Sequence, residues 1–156
     1  MGNTIYPRWS QKNSDGGFED PFVAKLNEGI IKGQWEESEF LKDIAGYNKR
    51  ILKLPQFVTY GDTRPIEMWI KHRPQVKLLM MVRDIKQVVA SMDKYKMNPL
   101  GQSTEESEKL LDAYLNKFRA KIEELGVQHR EIAHPSFVSE PESCIEIISD
   151  LSLIHI

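Results

Sequence analysis

The spacing of apolar positions predicts helices alternating with short strands along most of the chain. In "EDPFVAKLNEGIIKG", Phe22, Val23, Leu26 and Ile30 recur near helical spacing, with Asp20 as N-cap and Pro21 at the first helical position. They predict a helix over Pro21–Ile31 that Gly33 ends. A weaker helical period covers residues 36–47. "RILKLPQF" is a short apolar run interrupted by Lys53 and stopped by Pro55, the pattern of a buried strand whose end meets a site. Residues 64–73 place Ile66, Trp69 and Ile70 at helical spacing and stop before Pro74.

"VKLLMMV" is apolar at six of its seven positions, which fits a central parallel strand covered on both faces. The period then changes. "DIKQVVASMDKY" sets Ile85, Val88, Val89 and Met92 on one helical stripe. "STEESEKLLDAYLNKFRAKIEELG" opens on Ser103 and Thr104 as candidate caps with Glu106 as the capping-box acid. Its stripe runs through Leu110, Leu111, Tyr114, Leu115, Phe118 and Ile122 to a stop at Gly126. "VQHREIAH" alternates like a strand, and "SEPESCIEIISDL" reads as one closing helix capped near Ser139. This order of elements implies an α/β fold, a parallel sheet with helical cover.

Composition narrows the function classes. With 156 residues, 40% hydrophobic and 28% charged, the chain has the length and balance of one globular domain. Its 21 basic and 23 acidic residues leave a formal charge of −2, which excludes a strong general attraction for nucleic acid or anionic membrane. Cys144 is the only cysteine, so there is no intrachain disulfide and no cysteine-rich metal site, as suits a reducing, cytoplasmic setting. No stretch approaches the roughly 20 apolar residues of a membrane span. His72, His129, His134 and His155 show no metal-ligand spacing and read as surface or loop residues. Trp9, Trp35 and Trp69 read as packing residues. The terminal "LSLIHI", residues 151–156, back-translates to CTGTCTCTTATACACATC, a transposase adaptor end, and is expected to lie outside the domain formed by residues 1–150.

The chemistry concentrates where the "VKLLMMV" strand meets the next helix. Ligands of open parallel sheets bind beyond the carboxyl ends of the strands, where the following helix presents unpaired N–H groups. Arg83 sits at that end, and its planar guanidinium can hold a phosphate through two parallel hydrogen bonds. Ser91, beside the buried stripe of the helix, can donate to the same anion. An Arg83–Asp84 pair closing the strand is the alternative on spacing alone.

In context, "VRDIKQVVASM" after an apolar strand resembles the 3′-phosphate-binding segment of sulfotransferases that use 3′-phosphoadenosine 5′-phosphosulfate, with Ile85 in place of the usual proline. "DGGFEDPFVAKLNEGI" resembles the Gly-aromatic-Glu-Asp stretch and Leu-Asn helix of bacterial and Golgi-like members, and "LKLPQF" their Lys-Asp-Pro strand with Leu54 for aspartate. "REIAHPSFVSEPESCIEII" resembles their closing strand and helix. The resemblance spans residues 16–150 through several short motifs in order. It implies a P-loop-like sheet, 3′-phosphoadenosine 5′-phosphosulfate as cofactor through Arg83 and Ser91, and an acceptor hydroxyl such as one on a carbohydrate. Glu19 is implied as the base that takes the acceptor proton, and Lys53 as the cation that neutralises charge on the leaving phosphate.

One part of the pattern is missing. The family's first strand and its Gly-x-Pro-Arg-Ser-Gly-Thr loop, which cradles the 5′-phosphosulfate, have no counterpart, and "YPRWSQ" lacks both the glycine and the flanking elements. The expectation is therefore a partial domain that keeps the 3′-phosphate half of the site and is inactive by itself. Two other readings remain open at this point. One is another P-loop nucleotide-dependent transferase such as a small kinase, against which the absence of Gly-x4-Gly-Lys-Ser/Thr counts. The other is a non-catalytic helical interaction module that uses the stripe from Leu110 to Ile122.

Overall fold

A computed structural model describes residues 21–34, 36–46, 61–94 and 103–150. In chain order these form α1 (Pro21–Ile31), α2 (Glu37–Ala45), α3 (Arg64–His72), β1 (Leu78–Val82), α4 (Ile85–Lys94), α5 (Thr104–Glu124), β2 (His129–Ala133), α6 (His134–Ser139) and α7 (Pro141–Asp150). The chain is mixed helix and strand, mostly helical, with a small parallel sheet.

Local signals set most of these boundaries. At the start of α5 Ser103 accepts from the Glu106 N–H while the Glu106 carboxylate accepts from the Ser103 N–H at 3.1 Å, so two groups that the helix leaves unpaired are satisfied reciprocally. At its end Gly126 adopts φ +64, its N–H bonds to Glu123 O at 3.0 Å, and the Val127 N–H reaches back to Ile122 O at 3.2 Å. That double return is a Schellman end, and its left-handed residue strongly favours glycine. The same pair of bonds closes α1, from Gly33 to Ile30 O and from Gln34 to Gly29 O.

The main core joins elements far apart in sequence. Val23, Leu26 and Ile30 of α1, Phe40 and Ile44 of α2, Ile66 and Trp69 of α3, and Phe118 and Ile122 of α5 form one buried cluster, with Leu78, Met80 and Val127 packed against it. Phe40 meets Trp69 edge to face at 5.3 Å between centroids, a contact worth about 0.5–1.5 kcal/mol beyond area burial. Trp69 Nε1 donates to Asn27 Oδ1 at 2.9 Å inside that core, while Asn27 Nδ2 has no partner there. The helical stripe of α5 contributes to this core in part. Leu111, Phe118 and Ile122 are buried within this chain, whereas Leu110, Tyr114 and Leu115 of the same stripe are half-buried.

β1 and β2 pair in parallel, Leu78 with His129 through to Val82 with Ala133. The expectation of a strand covered on both faces is corrected. Leu78 and Met80 face the core, but Met81 on the other face is 46% exposed, and β2 is the strand paired with β1 among the described residues. The closing helix stands where the pattern put it. It is α7, and the unpredicted element is the short helix α6 before it, which stops ahead of Glu140 at φ −134, ψ 60, because Pro141 disfavours helical geometry in the residue before it.

Candidate functional site

The carboxyl edge of the sheet is where the chain divides. Register pairs Val82 with Ala133, so Arg83 and His134 leave adjacent parallel strands side by side, on neighbouring tracks about 4.8 Å apart. After β1 the chain turns into α4, which packs on α5. The α5 side of the sheet is identified by Arg119, which grips Glu131 of β2 with two bonds of 2.7 and 2.8 Å. Ile132 points to the opposite side and is buried at 2% exposure where α6 and α7 pack on β2. Adjacent strands therefore send their connections to opposite faces. In open α/β sheets ligands usually bind outside the strand ends at such a switch point.

Arg83 stands at this edge, exposed, and does not pair with Asp84. Its Nε donates to Gln87 Oε1 at 3.1 Å, and its two terminal nitrogens have no partner among the described residues. Asp84 caps α4 instead. Its Oδ1 accepts from the Gln87 N–H at 3.1 Å and its carbonyl from the Val88 N–H at 3.0 Å. The expectation that the helix start is open to an anion is corrected accordingly, since a carboxylate already occupies it and favours the positive helix end.

The structure offers the anion a different seat. Residues 83, 87 and 91 are spaced by four, close to one helical turn. With 3.6 residues per turn, Gln87 and Ser91 fall about 200° and 240° around the axis from Ile85. Gln87 is thus opposite the stripe on which Val89 is fully buried and Ile85, Val88 and Met92 half-buried, while Ser91 lies beside that stripe, about 60° from Val88. Arg83 leaning on Gln87 and the half-buried Ser91 thus form one polar row along the outer side of α4. Sequence reasoning found the two ends of that row and missed Gln87, although the four-residue spacing was the available signal.

The remaining candidates separate clearly. Glu19 and Lys53, with Arg8, Trp9, Trp35, His155, residues 151–156 and the predicted "RILKLPQF" strand, lie outside the described residues. His134 is exposed at the start of α6, as expected. His72 and His129 are not surface loop residues. His72 ends α3 with 14% of its side chain exposed, its ring 5.8 Å from that of Phe40 and its Nε2 2.9 Å from Glu37 Oε1. His129 is half-buried in β2, its Nδ1 3.0 Å from Val127 O. Both are drawn in by packing from distant parts of the chain. Trp69 is a packing residue, as expected.

Electrostatics elsewhere serve structure. Hydrogen bonding to Arg119 holds the Glu131 carboxyl below the ordinary carboxylate value, and Lys71 does the same for Glu37. A concavity where α6 meets α7 is lined by Ser139, Glu140, Pro141, Glu142 and Ser143, with two carboxylates and no cation, which makes it a poor seat for an anion. Among the described residues no three potential metal ligands cluster, and no helix is long and apolar enough to cross a membrane. Comparison with protein-family models, with curated proteins and with solved structures returned no match, so function is argued from the chemistry of this edge itself.

Proposed function

We propose that this chain binds the 3′-phosphate of 3′-phosphoadenosine 5′-phosphosulfate as part of a P-loop-like sulfotransferase that acts on an acceptor hydroxyl, a carbohydrate hydroxyl in the first instance. The observation that carries the reading is Arg83, exposed at the carboxyl edge of a parallel pair of strands with both terminal nitrogens available and Ser91 on the same row. Those donors fit a phosphate. The guanidinium supplies charge and a planar fork, and the hydroxyl supplies a further donor at the side. Asp84 does not spoil the fit, because its carboxylate is turned into the helix start.

When bound, the cofactor supplies the sulfuryl group. The roles of this chain are to hold the nucleotide end and to move the acceptor proton. Glu19, which follows Gly16, Gly17 and Phe18 in the sequence, is the proposed base for the acceptor hydroxyl. Lys53, in an otherwise apolar segment, is the proposed cation at the leaving phosphate, since a lysine there needs an anionic partner.

The test is calorimetric titration of the chain with adenosine 3′,5′-bisphosphate and with adenosine 5′-monophosphate, before and after Arg83→Lys. A charge-assisted hydrogen bond is worth about 1.5–3 kcal/mol, so the substitution should weaken the bisphosphate by that amount and leave the monophosphate nearly unchanged. Equal losses for both nucleotides would remove Arg83 from the 3′-phosphate and the reading with it.

A further inference from the structure

Arginine can meet a phosphate in two ways. It can approach side-on through Nε and one terminal nitrogen, or end-on through both terminal nitrogens. At Arg83 the first is closed, because Nε is already given to Gln87 Oε1 at 3.1 Å. The acceptor is itself held in place. The Gln87 backbone N–H is fixed by Asp84 Oδ1 at 3.1 Å, and the next residue, Val88, is bonded to Asp84 O at 3.0 Å, so the first turn of α4 is tied down on both sides of the contact. Gln87 also stands between Arg83 and Ser91 on the row spaced by four.

We infer that Gln87 is the positioning residue of the anion site, committing the Arg83 guanidinium to an end-on grip with its two terminal nitrogens aimed along the outer side of α4. The inference rests on the reading of Arg83 as a 3′-phosphate ligand. Gln87 touches the arginine and not the anion. Without it an exposed arginine samples many rotamers, which must be frozen on binding, and it can equally offer the side-on pair. With it, part of that ordering is complete before the ligand arrives. The ligand class that benefits is a terminal phosphate, whose two oxygens match the end-on fork in one plane.

The experiment uses the whole chain in five forms: wild type, Gln87→Met, Gln87→Glu, Arg83→Ala, and Arg83→Ala with Gln87→Met added to it. Methionine keeps helix propensity and length while removing the acceptor, and glutamate keeps the acceptor oxygen. Titration with adenosine 3′,5′-bisphosphate should show a loss of about three- to tenfold for Gln87→Met, the range expected for one hydrogen bond, with adenosine 5′-monophosphate unaffected. In the Arg83→Ala background the same change should have no effect, because there is nothing left to position. The ¹⁵N resonance of Arg83 Nε should move in Gln87→Met and stay near its wild-type position in Gln87→Glu, which a merely structural role for Gln87 would not produce. Two failures are distinct. If wild type prefers the bisphosphate but Gln87→Met binds it equally well, the positioning role is overturned while the phosphate site stands. If wild type binds both nucleotides alike, the assignment of Arg83 fails and this inference falls with it.

Discussion

Gly61→Ala should destabilise the fold by far more than the addition of one methyl group suggests. Gly61 precedes α3 at φ +62, in the left-handed region, where a side chain costs about 1–2 kcal/mol. A Cβ there would also collide with Cγ, Cδ1 and Cε1 of Tyr114, and because Cγ is the root of the ring the residue cannot simply swing its tip away. Overpacking of that kind costs typically about 1–3 kcal/mol, and the stiffer unfolded chain returns only about 0.4–1 kcal/mol. The net loss should be about 1.5–4 kcal/mol. Gly33 provides the control, since its φ of +67 carries the same backbone penalty but nothing lies within 4 Å of the added Cβ. Urea unfolding of the two variants should therefore place Gly61→Ala about 1–3 kcal/mol below Gly33→Ala, and Tyr114→Ala should close most of that gap when added to Gly61→Ala. The segment matters beyond its own stability. Lys117 Nζ of α5 bonds to Gly61 O at 2.8 Å, so the contact fixes α3 on α5 just upstream of β1. Equal midpoints for the two alanine variants would show that the close approach to Tyr114 carries no energy, and the argument from it would fail.

Ser103→Ala should lose about 1 kcal/mol in the same unfolding assay, because it removes the side chain that takes the Glu106 N–H at the head of α5; an unchanged midpoint would mean that the capping box contributes nothing. Glu131 gives the pH dependence. Its carboxyl is held below the ordinary 4.5 by Arg119, so its contribution is present above that value and is lost as pH falls through the lowered folded-state value. Glu131→Gln should flatten that acid limb of a stability profile, and an identical limb in wild type and variant would place the titration elsewhere.

The parts of the fold legible in the sequence are those that neighbours decide. Ser103 with Glu106, Gly33, Gly126 and Pro74 act within one turn of themselves, and the helices they bound stand where the pattern put them. The start of α7 was equally local, since a residue before proline resists helical geometry and Pro141 opens the helix that the apolar period of "CIEII" predicts. What the sequence did not disclose is set by partners far along the chain. The apolar run of β1 was consistent with two covered faces, yet coverage depends on which elements arrive, and Met81 is left half exposed. His72 has the composition of a surface residue but is packed because Phe40 and Glu37 of α2 close over it.

The seam between β1 and α4 shows both kinds of information in one place. Arg83 and Ser91 could be chosen from their types and their position after an apolar strand, but which groups each would engage could not. Asp84 could have paired with Arg83 or capped the helix, and the two alternatives lead to opposite sites. Paired, it would neutralise the guanidinium and leave the helix start open to an anion. As a cap, it fills the helix start and leaves the guanidinium unpaired with Asp84, its Nε donating to Gln87 Oε1. Capping wins because it satisfies an otherwise unpaired N–H and meets the positive end of the helix, worth about 1 kcal/mol or more, whereas an exposed pair of adjacent side chains gains about 0–1 kcal/mol and must order a long arginine to do so. The choice that stabilises α4 is therefore also the one that frees Arg83 for a ligand, and Asp84→Ala should test it from the other side by loosening the helix start while leaving the charge of Arg83 in place.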